Sequence, residues 1–129
     1  MRFMVIVKAT KASEQESMRS REVQQAMQEM GKFNETLIKA GVMLAAEGLQ
    51  SSKEGARIRF DSGRTTVTDG PFTEAKELVG GFWIVQGKSM EEIIERFAHA
   101  PFDNGQEIEV RRISEAEDFD ENPTPEIAR

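Results

Sequence analysis

Two stretches with helical periodicity each stand between short apolar runs, and this alternation limits the possible folds more than any other feature. Arg2-Phe3-Met4-Val5-Ile6-Val7-Lys8 is apolar on both faces and bounded by charge. It is too short for a buried helix and reads as a central strand. Thr10 to Ser20 is polar and loop-like, with Ser13 and Glu16 at capping-box spacing. Val23, Ala26, Met27, Met30, Phe33 and Leu37 then recur at steps of three and four, which predicts one face of a long amphipathic helix. Gly31 weakens that helix by about 1 kcal/mol relative to alanine. Gly41 follows the last periodic residue, as a C-cap glycine does.

Val42 to Gln50 reads as a second strand, with Gly48 as a bulge position. Ser51 to Gly55 is a loop. Arg57-Ile58-Arg59-Phe60 and Thr65-Thr66-Val67-Thr68 flank Asp61-Ser62-Gly63-Arg64, a hairpin in which charges alternate with apolar residues. Asp69-Gly70-Pro71-Phe72 ends it, and Thr73 to Leu78 has the pattern of a helical turn capped by Thr73. Gly81-Phe82-Trp83-Ile84-Val85 is a further buried strand. Ser89 and Glu92 form a capping box ahead of a stripe of Met90, Ile93, Ile94, Phe97 and Ala98, which Pro101 terminates. Glu107 to Ile113 is the last strand. With the hairpin set aside, the order is βαββαβ, the ferredoxin-like split arrangement in an α+β fold. Two helices cover one sheet face. The central strands are apolar on both sides, so the other face needs cover, and a two-fold dimer closing a dimeric α+β barrel is the economical solution.

Composition narrows the chemistry. The 129 residues contain no cysteine and one histidine, which excludes disulfides, thiolate sites and a His₂ or His₃ metal site within one chain. Net charge is −6, and residues 115–129 alone contribute −5. The expected organisation is therefore a ferredoxin-like domain over 1–114 and an acidic tail over 115–129. An acidic chain without a basic stripe argues against nucleic acid as a partner. No run approaches the length needed to span a bilayer, so no membrane partner and a cytoplasmic location are expected. Gly80-Gly81 precedes a strand rather than a helix and so lacks the context of a phosphate loop. No cofactor motif is present.

Val67-Thr68-Asp69-Gly70-Pro71-Phe72-Thr73-Glu74-Ala75-Lys76-Glu77 resembles the signature of the DGPF subgroup of the YCII-related proteins. Gly41 to Leu49 is similar to that family's second strand, Gly80-Gly81-Phe82-Trp83 to its next core strand, Ile108 to Arg112 to its last, and Glu115 to Phe119 to its C-terminal segment. The resemblance covers nearly the whole chain and implies a dimeric α+β barrel. In the wider family an Asp–His dyad has been suggested, and one branch is a dehydrochlorinase of chlorinated aromatics. Some DGPF proteins are encoded beside extracytoplasmic-function sigma factors, which implies a regulatory role. This chain departs from the dyad pattern, because His99 lies at the end of the second helix.

The candidate site residues follow from chemistry. Asp69 is held by a rigid turn near Phe72 and Trp83 and is the candidate catalytic acid or base, with a plain turn-forming role as the alternative. Glu74, Lys76 and Glu77 form a compact charged cluster in which Lys76 and Glu77 would orient a substrate; a solvated turn is the alternative. Glu47 interrupts an apolar strand, so a buried position would require a partner such as Arg111 or Arg112; an edge position facing water, or a pair that only specifies the dimer, is the alternative. Trp83 or Phe82 would face the dimer cavity. His99 fits a helix C-terminus, and Met18, Met27, Met30, Met43 and Met90 sit at core spacing. Two functions from different classes are consistent with these residues. One is a cofactor-free acid/base enzyme using Asp69, with Glu47, Lys76, Glu77, Trp83 and Arg111 binding a small organic molecule in a dimer cleft. The other is a metabolite-binding or regulatory module without turnover.

Overall fold

The structure, a computed structural model, describes residues 1–10, 21–73 and 77–119. Its elements are β1 (Arg2–Lys8), α1 (Arg21–Lys39), β2 (Met43–Gly48), β3 (Ala56–Asp61), β4 (Arg64–Asp69), β5 (Val79–Gln86), α2 (Met90–Phe97) and β6 (Ile108–Arg112), with short 3-10 turns at Ser52–Glu54 and Ala116–Asp118. Four strands form an antiparallel sheet in the order β2-β5-β1-β6, and β3 and β4 form a separate two-stranded sheet. This is the expected α+β arrangement with an inserted hairpin. The capping-box residues Ser13 and Glu16, together with Met18, Glu74 and Lys76, lie outside the described residues.

Strand alternation divides the sheet into two unlike faces. Phe3 pairs with Val85 and Val5 with Trp83, and all four are buried under the helices with Leu37, Ile93 and Phe97. The intervening residues Met4, Ile6, Phe82 and Ile84 face the other way and are half-buried. Two details differ from the sequence pattern. The irregularity in β2 falls between Met43 and Ala45, not at Gly48, and it turns Leu44 outward. On α1 the expected stripe is only partly covered: Leu37 is buried and Met30 and Phe33 pack on the core, while Met27 is 54% exposed. The first half of the helix is largely exposed. The cap of α2 is also shared differently from a reciprocal box. Ser89 Oγ accepts the Glu92 N–H at 3.2 Å, but Glu92 Oε2 accepts from Lys88 N–H at 2.7 Å. The helix ends at Phe97, ahead of Pro101.

The β3–β4 hairpin stands away from this body as an arm, with every residue of both strands exposed. Ser62 and Gly63, both at positive φ, make its two-residue turn. Its base is pinned. Gly70 N–H donates to Gly55 O at 2.9 Å, Phe72 N–H donates to Ser52 Oγ at 3.0 Å, and the Arg57 guanidinium lies 3.8 Å from the centre of the Phe72 ring. A Cβ at Gly70 would fall on the carbonyl oxygen of Ser52, so this position requires glycine.

The first residues of the acidic segment are paired with the sheet. Glu115 pairs with Arg2 at 2.8 Å, and Asp118 pairs with Arg112 at 2.9 Å. Asp118 also accepts the Glu115 N–H at 2.7 Å. The Arg2 hydrogen bond holds the Glu115 carboxyl below its ordinary pKa, and the Arg112 hydrogen bonds do the same for Asp118. Ion pairs therefore fasten residues 115–118 to β1 and β6.

Candidate functional site

At the end of the sheet where β2 stops and β5 starts, a cleft of about 270 Å³ opens beneath the middle of α1. The strands contribute Glu47 and Gly48 from β2, Gly80 to Trp83 from β5 and Val7 from β1. Met30 and Asn34, one turn apart on α1, cover it, and Phe102 closes the side beyond α2. Glycine at position 81 is needed here because a Cβ would stand 2.9 Å from the Glu47 carbonyl oxygen. The lining is mostly apolar, with the Asn34 amide as a polar group. That is the usual make-up of a small-molecule site. Glu47 pairs with Phe82, so its side chain leaves by the sheet face opposite Trp83.

Trp83 is the fixed wall of the cleft. Its indole is 4% exposed and meets Phe33, Phe97 and Phe102 edge-to-face at centroid distances of 6.2, 5.1 and 6.2 Å. Such pairs contribute about 0.5–1.5 kcal/mol each beyond their burial. Nε1–H donates to Asn34 Oδ1 at 2.8 Å, which satisfies the one polar atom of the ring and orients the amide. The wall is therefore rigid before any ligand arrives.

The structure brings together only part of the expected set. Glu47 and Trp83 share this cleft. Arg111 does not reach Glu47: β6 and β2 are the two edges of the sheet, three strand spacings or about 14 Å apart. Arg111 Nε instead lies 3.8 Å from Glu109, and Arg112 is taken by Asp118, so neither arginine partners Glu47 within the chain. Glu47 needs no such partner because it is exposed at the edge strand. Asp69 ends β4 opposite Ala56, exposed at the base of the arm, and does not line this cleft. Glu77 is exposed just before β5. His99 lines a different hollow of about 570 Å³ between the helices, beside Glu92, Glu95 and Arg96. That hollow contains none of the other candidates. Among the described residues no three His, Asp or Glu side chains gather as a metal site.

Met30 reads from the sequence as core packing, and Asn34 and Phe102 are not singled out there. Asn34 leaves a signal, as a polar residue three positions before Leu37 and four after Met30 inside an apolar stripe. Phe102 follows the helix-ending Pro101, and no pattern marks it.

The YCII-related domain family matches residues 1–117. An uncharacterised protein of Rhizobium meliloti (strain 1021) is 28% identical over 74 residues, which is 57% of this chain and 60% of that protein. The chain thus aligns to somewhat under two-thirds of this relative. The 5-chloro-2-hydroxyhydroquinone dehydrochlorinase TftG of Burkholderia phenoliruptrix AC1100, solved with 2,5-dihydroxybenzoquinone, superposes with a TM-score of 0.52 at 18% identity. That similarity covers 93% of this chain and all of TftG, and it establishes the shared fold. With the family match spanning the whole packed unit, the chain belongs to the YCII-related family.

Proposed function

We propose that the chain binds a small planar aromatic or quinone-like molecule in the Trp83 cleft, as a two-fold dimer. The observation that carries this reading is the cleft itself. It pairs rigid aromatic faces at Trp83 and Phe102 with the Asn34 amide. Asn34 Oδ1 is engaged by Trp83, which leaves the amide NH₂ as the donor for a ring oxygen. The ligand in the TftG structure, 2,5-dihydroxybenzoquinone, is of this size and chemistry.

Glu47 takes no acid/base role against the aromatic wall, because its side chain lies on the Phe82 face of the sheet. Asp69 then belongs to the turn that anchors the arm. The dimer is supported by the half-buried apolar face of Met4, Ile6, Phe82 and Ile84, rimmed by the Lys8–Glu109 ion pair at 3.1 Å and by Arg111. A second sheet packed on that face would cover it.

The test is calorimetric titration with 2,5-dihydroxybenzoquinone, followed by a turnover assay on chlorinated and hydroxylated hydroquinones. Asn34→Asp, which keeps the bond to Trp83 and removes the amide donor, is expected to weaken binding, with Glu47→Gln and Asp69→Asn close to wild type. Loss of turnover in Asp69→Asn with normal folding would return the role to Asp69. Saturable binding without consumption of any ring substrate would favour the metabolite-binding or regulatory reading.

A further inference from the structure

We propose that the β3–β4 arm is a clasp that seats its apolar face on a second copy of this chain. The proposal rests on the dimer reading above and adds a contact which that reading does not require. Ile58 pairs directly with Val67, and Phe60 lies two residues along the same face. They are 59%, 62% and 77% exposed. Arg57 and Arg59 alternate onto the opposite face, where Arg57 covers Phe72. A two-stranded ribbon with no packed face is marginal in water. This one has a well-formed turn, a pinned base and three large apolar side chains on one side, which is the construction of a surface awaiting cover.

Three features point to a second copy as the cover. The arm springs from the junction of β2 and β5, the strands whose open face carries Phe82 and Ile84, so both unpaired apolar surfaces adjoin and one two-fold contact satisfies both. Its six-residue strands extend about 20 Å, enough to cross the roughly 14 Å width of a four-stranded sheet. The arm also holds three arginines against two aspartates, while the whole chain stands at −6, so a second copy offers complementary charge.

The full chain has no cysteine, so a single introduced thiol reports cleanly. Thr65, beside Phe60 on the apolar face, is changed to cysteine and labelled with bimane. Sedimentation then gives the dimer Kd for this protein and for the Ile58→Ser/Phe60→Ser variant. Both arm residues are exposed, so the monomer fold is retained, and far-UV circular dichroism checks it. The proposal predicts a bimane emission that shifts to the blue as dimer forms, and a dimer Kd raised at least tenfold in the variant. A dimer of unchanged Kd with bimane emission independent of concentration would overturn the clasp and leave the dimer standing. A monomer at all concentrations with solvent-exposed bimane would overturn both. A monomer with bimane already blue-shifted would place the arm on its own chain and overturn the clasp.

Discussion

The Trp83 indole N–H and the Asn34 side-chain oxygen meet at 2.8 Å, joining the middle of α1 to the central strand β5. This bond ties the lid of the cleft to its floor. Asn34→Leu removes the acceptor and leaves a buried donor unmet, which costs about 1–3 kcal/mol. Asn34→Asp keeps an acceptor and is expected to recover most of that loss. Urea unfolding followed by the fluorescence of the single tryptophan checks both.

Two glycines should respond to alanine with opposite signs. Gly31 is an exposed helical position where an added Cβ meets nothing within 4 Å. Gly31→Ala is expected to stabilise by about 0.5–1 kcal/mol. At Gly70 the added methyl collides with the Ser52 backbone. Gly70→Ala should therefore loosen the arm base, seen as faster amide exchange at Gly70 and Phe72 while the β1–β5 amides stay protected.

The fastening of residues 115–118 should be lost in acid. Glu115 and Asp118 have folded pKa values below their ordinary range because Arg2 and Arg112 hydrogen-bond their charged forms. A lowered carboxylate pKa contributes stability that is fully present above the unfolded value, near pH 4, and lost as pH falls through the folded value. Amide exchange at Glu115 and Phe119 is expected to accelerate below about pH 4 while the sheet remains intact. Arg2→Gln should abolish the Glu115 part of this transition.

The core tolerates little truncation. Ile93 is fully buried between α2 and the sheet with Phe3, Val85 and Leu37. Ile93→Ala is expected to cost about 2–5 kcal/mol, measured as a lowered urea midpoint at unchanged slope.

The fold was legible because local patterns and the global arrangement agree. The doubly apolar run at Phe3–Val7, the stripe ending at Leu37 and the Ser89 cap each allow one element type. The site was less legible. Glu47 and Trp83 were marked by chemistry out of place, a carboxylate in an apolar strand and a lone tryptophan in a core strand. Arg111 was not separable from a plausible partner, because strand order, and not strand identity, puts it at the far edge. Asp69 stood out through its Asp-Gly-Pro-Phe block. The constraint on that block is the close approach of Gly70 to Ser52, a contact between residues 18 apart that no local pattern reveals.

The Trp83 cleft is the proposed ligand site. It is tested most directly by ¹H–¹⁵N spectra of the full chain titrated with 2,5-dihydroxybenzoquinone. The single indole resonance of Trp83, the side-chain amide of Asn34 and the backbone amides of Gly48, Gly80 and Gly81 are predicted to shift together and saturate. Saturating shifts confined to Asp69, Gly70 and Phe72 at the arm base, with the Trp83 indole unmoved, would contradict it.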